Sequence, residues 1–465
     1  MTITAPTPQA RPRLLSPTYA ATTIGMFALV AFTAFEATAV TTVMPTVAEK
    51  LDGVGLYALS FAAPLASGVV GMVAAGARSD RHGPVAPLAV ALVVFAVGLV
   101  VCGTAPSMEV LVAGRLLQGL GAGALTVCLY VVVGLVFPPL LQPAVFASFA
   151  AAWVLPSLFG PALAAFVAHA LGWRWVFLGV VVLVGAATLL ILPALRGVEA
   201  RGGQGEASRS RLAWAVVGAT AVLVLELVGS HRGAVGLLAI LALGVVFLSL
   251  RRMLPAGALL ARRGLPAVIG TRGLLSASFF CAEAYIVFVL QDHWDLTPGT
   301  AGLALTAVGL VWAGASQAQS RLGARVSDVV AMRWGATLVL VGTAVLTVVV
   351  AGDVSPVLAV AAYVVAGAGM GFGFPRTSVA MLAASSDADR GFNSSALSIS
   401  DSLGGALALS LSGIVFGLAD HAGADPFVSV FVLATGIAVL GVVTALRTAP
   451  GRGETVKSPS ATGRR

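Results

Sequence analysis

The sequence predicts an all-α integral membrane protein: two six-helix bundles plus two extra central helices, fourteen spans in all, with both termini cytoplasmic. Three observations lead there. The 465 residues are 58% hydrophobic and only 10% charged, with a mean hydropathy of +0.99, whereas soluble domains carry about 25% charged residues. The apolar residues gather into runs long enough to cross a hydrocarbon core of about 30 Å. Two of those runs, far apart in the chain, carry an acid in matching surroundings.

Taken in order, residues 1–18 are a polar, Pro-rich cytoplasmic tail. The apolar run that follows is too long for a signal-peptide core, so it reads as a retained first span. Six spans, at about 19–45, 56–76, 85–103, 108–136, 144–170 and 174–195, make a first half over 19–195. A charged Gly/Ser linker, 196–211, interrupts the pattern. Segment 212–250 holds two spans, 212–229 and 233–250, that match nothing else in the chain. A basic, Pro/Gly-broken linker, 251–265, leads to a second half over 266–447. Its spans lie at about 266–291, 299–320, 330–352, 355–380, 393–419 and 426–446, and 448–465 form a second tail. Lys and Arg concentrate in the tails and in the loops after even-numbered spans, which sets both termini in the cytoplasm. In a soluble chain the net charge of +8 would suggest nucleic acid; this distribution points to the lipid bilayer and to no nucleic acid.

The repeat has several parts. Residues 32–40 match 279–287, aligning Glu36 with Glu283. The stretch Gly76-Ala77-Arg78-Ser79-Asp80 returns at 323–328 with one residue inserted, and Gly119, Gly121 and Gly123 return as Gly367, Gly369 and Gly371. Both acids lie on helices running outward, so the halves are parallel repeats, related by an axis along the membrane normal as in many transporters. An acid in lipid is costly and points to function.

Glu36 lies a few turns before Pro45, and Arg115 a similar distance after Met108. At about 1.5 Å per residue their depths are roughly 13 and 10 Å, so they are able to meet. Glu36 is the candidate proton-coupling carboxylate, with Arg115, the one cation identified inside a span, tuning it. A purely structural ion pair is the alternative. The repeat places Ala362 or Tyr363, not an Arg, opposite Glu283. Glu283 is therefore a candidate for binding substrate or a second proton, against a neutral structural carboxyl. Tyr285 accompanies it. Trp153 and Trp312 fall mid-span, facing lipid or lining a cavity. Asp401 lies near Ser394, Ser398 and Ser402 on one helical face, as a candidate for substrate or a second proton at the cavity's inner mouth, or as part of a polar stripe that only eases the helix into the interface.

Gly76, Asp80, Arg81 and Gly83 occupy a short charged loop after span two, whose copy at Arg325 and Asp328 reads as a solvated loop. Span four carries Gly114-Arg115-Leu116-Leu117-Gln118-Gly119. Span five carries Pro156-Ser157-Leu158-Phe159-Gly160-Pro161, a segment able to bend. With Glu36-Ala37-Thr38-Ala39-Val40 and Gly172-Trp173-Arg174-Trp175, these motifs in this order resemble the major facilitator superfamily, and in particular its drug:proton antiporter branch with fourteen spans. Arg78, Pro84-Val85, Pro156 and Ala164-Ala165 depart from the family pattern.

The resemblance implies a proton-coupled secondary transporter that exports amphipathic or aromatic small molecules, drugs among them, by alternating access. It implies that Asp80 docks on the start of span thirteen and locks the outward-open state, and that Gly160 and Pro161 belong to an antiporter motif. Export of one native lipid, siderophore or antibiotic is an alternative, as is a non-transporting sensor or scaffold. No cofactor is expected, and the chain is expected to act as a monomer in the plasma membrane. Cys102, Cys128 and Cys281 have no paired spacing, and the His residues are isolated, so neither disulfide nor metal is expected. The absence of a phosphate-binding Gly-x-x-x-x-Gly-Lys loop argues against ATP drive, and no nucleophile–base pair suggests an enzyme.

Overall fold

The computed structural model describes residues 13–53, 56–196, 209–228, 235–296 and 298–449. Long apolar runs become helices because a backbone without water must bond to itself. Fourteen result: α1 (Ala20–Lys50), α2 (Tyr57–His82), α3 (Val85–Gly103), α4 (Met108–Val136), α5 (Gln142–Ala170), α6 (Arg174–Ala194), α7 (Arg209–Val228), α8 (Val235–Met253), α9 (Leu265–Asp292), α10 (Pro298–Leu322), α11 (Asp328–Ala351), α12 (Pro356–Ala384), α13 (Arg390–His421) and α14 (Pro426–Ala445). Among the described residues, ten helices are long and apolar enough to cross a membrane, while α5 and α7 contribute shorter apolar stretches at 142–156 and 210–225. Large apolar side chains point outward in stripes. Val90, Val93, Val97 and Val100 follow one face of α3, each more than 40% exposed, a pattern suited to lipid rather than water.

The sequence repeat is also a packing repeat. In the first bundle α1 packs on α5 and α6, α4 on α2 and α3, and α3 on α6. In the second, α9 packs on α13 and α14, α12 on α10 and α11, and α11 on α14. The glycine ladder permits this. A Cβ on Gly121 would lie 2.5 Å from Phe95 N of α3, and one on Gly369 2.6 Å from Gly335 O of α11, so each ladder lets its helix press backbone to backbone. Helices α7 and α8 pack on each other, and α7 leans on α2.

The bundles meet at one end, which carries the ends of α2, α4, α10 and α12 and the starts of α5, α9 and α13. There Asp80 reaches α13, Tyr130 reaches α9, and Gln317 Nε2 donates to Ala147 O at 3.4 Å. A single apolar core runs through the first bundle and across to Val268, Met332, Val379 and Leu397 at this end. A separate core fills the rest of the second bundle. The inter-bundle bonds of Asp80, Tyr130 and Gln317 all lie at this closed end.

Candidate functional site

In the first bundle, Glu36 and Arg115 are both buried, at 7% and 6% exposure. Arg115 Nη1 makes an ion pair with Glu36 Oε1. Its Nε donates to Ser60 O of α2 at 3.0 Å, and Nη1 also donates to Gln118 Oε1 at 3.1 Å. Gln118 Nε2 donates back to Glu36 Oε1 at 3.1 Å, and Cys102 Sγ of α3 donates to Gln118 Oε1 at 3.3 Å. Arg115 and Gln118, three residues apart, share one face of α4. The result is a closed, neutral network joining four helices. Beside it, Thr38 Oγ1 of α1 donates to Pro156 O at 3.3 Å, and a Cβ on Gly160 would strike that hydroxyl. The span-five motif thus abuts the helix that carries the acid. The side chain of Pro161 lies outside the described residues.

The second bundle differs at the matching place. Glu283 of α9 is half-buried and forms no ion pair among the described residues. Tyr363, at the repeat position of Arg115, sets its buried hydroxyl beside the carboxyl without completing a hydrogen bond. Aromatic rings surround the pair. Phe279 stacks on Tyr363 at 5.3 Å and meets Trp312 edge-on at 5.2 Å, and Trp312 meets Phe374 at 5.7 Å. Trp312 Nε1 is buried without a partner. Tyr285 stacks on Phe416 at 5.3 Å, whereas Trp153 on α5 is 49% exposed. An unpaired acid among aromatic faces suits a cationic aromatic ligand.

Arg115 is not the only cation within a helix interior. Arg272 of α9 and Arg376 of α12 are buried at 1% and 3% exposure, and this corrects the expectation from sequence. Arg272 Nη2 pairs with Asp401 Oδ2 at 3.0 Å and donates to Tyr130 Oη at 3.1 Å. Its Nη1 donates to Phe374 O, Thr377 Oγ1 and Ser378 Oγ, and the guanidinium lies 3.1 Å from the Phe374 ring centroid. Ser276 Oγ donates to the other Asp401 oxygen. Asp401 is therefore half of an ion pair rather than one member of a serine stripe. Arg272 follows the basic linker so closely that it reads as a topological charge; its signal was a cation a few residues inside an apolar run.

At the closed end, Gly76, Asp80 and Arg81 belong to the last turns of α2 and not to a loop; the turn comes at Gly83, whose φ is 79°. Asp80 Oδ1 accepts from Gly391 N at 2.5 Å and Oδ2 from Phe392 N at 2.9 Å. A carboxylate on the first turn of α13 satisfies free amides and meets the positive end of the helix dipole. Gly76 is small because a Cβ there would lie 2.6 Å from Gly391 O. In the repeat copy Arg325 is exposed, but Asp328 is not simply solvated: its Oδ1 accepts from Arg376 Nη1 at 2.9 Å, while Arg376 Nη2 donates to Gln319 O at 2.7 Å. A pocket of ≈ 440 Å³ lies between these elements, with Phe137, Asp328, Arg376 and Arg390 on its wall. Among the described residues no group of His, Cys, Asp and Glu converges to hold a metal, and the three cysteines are free and buried.

Two repeated bundles, an acid in each and a carboxylate latch between them define a transporter of the major facilitator type. The Major Facilitator Superfamily profile matches residues 26–289, and the chain belongs to that family: it is a multi-pass membrane transporter and not an enzyme. Among relatives, a protein named a probable multidrug-efflux transporter of Mycobacterium tuberculosis is 28% identical over 424 residues, covering 86% of this chain and 88% of the relative. Multidrug resistance protein 3 of Bacillus subtilis is 29% identical over 169 residues, covering 36% of this chain and 33% of its own. Among solved structures, the human organic anion transporter MFSD10 superposes with a TM-score of 0.71 at 15% identity, over 92% of this chain and 100% of that one. The proton:xylose symporter XylE superposes with a TM-score of 0.66 at 14% identity, over 92% and 95%. The two structural likenesses bear on the fold alone.

Proposed function

We propose that this protein is a fourteen-span, proton-coupled exporter of amphipathic or aromatic small molecules, of the multidrug-efflux type. It resides in the plasma membrane with both termini, and hence the closed end, in the cytoplasm. In that orientation the conformation is outward-facing, sealed inside by Asp80 on α13. The observation that carries the reading is the contrast between a buried, cation-paired Glu36 and an aromatic-lined, unpaired Glu283.

Glu36 takes up a proton from the outer side; Arg115 and Gln118 stabilise the carboxylate that remains once the proton leaves. Glu283, Tyr363, Trp312 and Phe279 receive the substrate, its rings against their faces and any positive charge at the acid. Rocking of the two bundles exposes the sites alternately, and each proton entering a cell contributes about 2.3 kcal/mol per 100 mV of membrane potential. The name of the tuberculosis relative supports drugs as the substrate class.

The test is a screen of cationic and neutral amphipathic compounds in proteoliposomes under an imposed pH gradient, with Glu36→Gln as control. Gradient-driven accumulation by the wild type, much reduced in Glu36→Gln, is expected. Equal accumulation by both removes Glu36 from the coupling, and accumulation of nothing by the wild type favours a sensor or scaffold.

A further inference from the structure

We propose that Arg272, Asp401 and Tyr130 form a second proton-coupling station, separate from Glu36, whose proton is released by the parting of the two bundles. The proposal rests on the proton-driven reading above and adds a site and a direction to it.

The argument starts from which element carries each group. Arg272 on α9 and Asp401 on α13 belong to the same bundle, so their 3.0 Å ion pair travels intact when that bundle rocks. Tyr130 is on α4 of the other bundle. Its 3.1 Å contact with Arg272 Nη2 exists only while the closed end is closed. One guanidinium nitrogen is thus shared between an acid that stays and a hydroxyl that leaves.

The cluster is built so that the acid changes charge and the arginine does not. Asp401 is the more exposed partner, at 23% of its side chain against 2% for Arg272. When Asp401 carries a proton, Phe374 O, Thr377 Oγ1, Ser378 Oγ and the Phe374 ring still hold the guanidinium. With those acceptors only Nε is left without a partner, so the buried cation does not stand alone. When the closed end opens, Tyr130 withdraws, Nη2 turns wholly to Asp401, and water enters. A dedicated cation and hydration both stabilise a carboxylate. The proton carried by Asp401 therefore leaves as H⁺ to water at the end that has just opened, which is the direction an exporter requires.

Other charges do not reach Asp401. Of the elements packed on α13, α14 carries no charged residue; α2 bears Arg78, Asp80, Arg81 and His82 near its end, with Asp80 on Gly391 and Phe392. On α12 Arg376 is bound to Asp328, on α4 Arg115 is bound to Glu36 and Glu109 sits in the first turn, and on α13 Asp420 and His421 sit in the last turn. On α9 itself, Glu283 and Asp292 lie turns further along, and on α13 Arg390 pairs with Asp387.

The experiment uses the full chain in proteoliposomes with ethidium as probe, comparing gradient-driven steady-state accumulation with counterflow, which moves no net proton. Losing one proton per cycle lowers the accumulation ratio about tenfold for each pH unit of gradient. Asp401→Asn keeps the shape and the Ser276 contact, and is expected to lose accumulation by about that factor while counterflow falls far less. Tyr130→Phe keeps the ring against Phe146 and Phe149 and is expected to shift the pH dependence of accumulation without abolishing it. Undiminished accumulation in Asp401→Asn overturns the proposal, as does an equal loss of accumulation and counterflow, which marks a structural pair. If the wild type itself shows no gradient drive, the proton-coupled reading fails first and this inference with it.

Discussion

The acids Glu36 and Glu283 occupy the same place in the two bundles yet live in opposite chemistries. Glu36 is bound by Arg115 and Gln118, which are held in turn by Ser60 O and Cys102 Sγ on neighbouring helices. Glu283 faces a tyrosine and a set of rings, with two buried polar atoms nearby, Tyr363 Oη and Trp312 Nε1, left unsatisfied. Around them the helix packing and the glycine ladders are the same. The two halves share a frame but differ in charge: one site is a closed, ion-paired network and the other an incomplete one, and the proposed function gives the proton to the first and the substrate to the second.

The largest effect expected from disturbing this contrast comes from Arg115→Ala. It strands a buried carboxylate, and removing one partner of a buried pair costs about 3–5 kcal/mol, so the detergent-solubilised protein should melt at clearly lower temperature. An unchanged melting temperature would show that the Glu36–Arg115 pair does not hold the first bundle together. Next comes Asp80→Asn, which weakens two charge-assisted bonds to α13 worth about 1.5–3 kcal/mol each at most. Thiol labelling of cysteines introduced at the closed end should rise, and labelling that stays flat would show that the seal does not depend on that carboxylate.

The shared frame is tested by a matched pair. Gly121→Ala and Gly369→Ala each force a methyl against a neighbouring backbone, and overpacking of this kind costs about 1–3 kcal/mol. Equal losses of thermal stability are expected, and markedly unequal ones would deny that the two ladders play the same role. The smallest effect belongs to Tyr363→Phe. Its hydroxyl has no completed hydrogen bond, so stability should change by less than about 1 kcal/mol while the affinity for ethidium shifts.

Much of the frame was legible in the sequence because apolar run length and glycine spacing are local properties. The meeting of Glu36 with Arg115 followed from depth along two helices, and the Asp80 contact from a family motif. What stayed hidden is instructive. Arg272 and Asp401 are brought together only by the packing of α9 on α13, and Arg272 lies close enough to the basic linker to pass for a topological charge. Arg376, near the end of α12, was masked in the same way, and with it the true setting of Asp328. Tyr363 was visible only as the missing arginine. Its role beside Glu283 required seeing which face of α12 turns toward α9.

The central claim is the division of labour between the two acids, and one paired measurement addresses it most directly. Accumulation of ethidium and of a neutral aromatic substrate is followed in proteoliposomes under the same pH gradient, for Glu36→Gln and Glu283→Gln. The account predicts that Glu36→Gln lowers gradient drive equally for both compounds, whereas Glu283→Gln loses ethidium by about tenfold, the scale of one charge-assisted contact, and keeps the neutral compound. Equal loss of both compounds in Glu283→Gln, or full drive in Glu36→Gln, would contradict it.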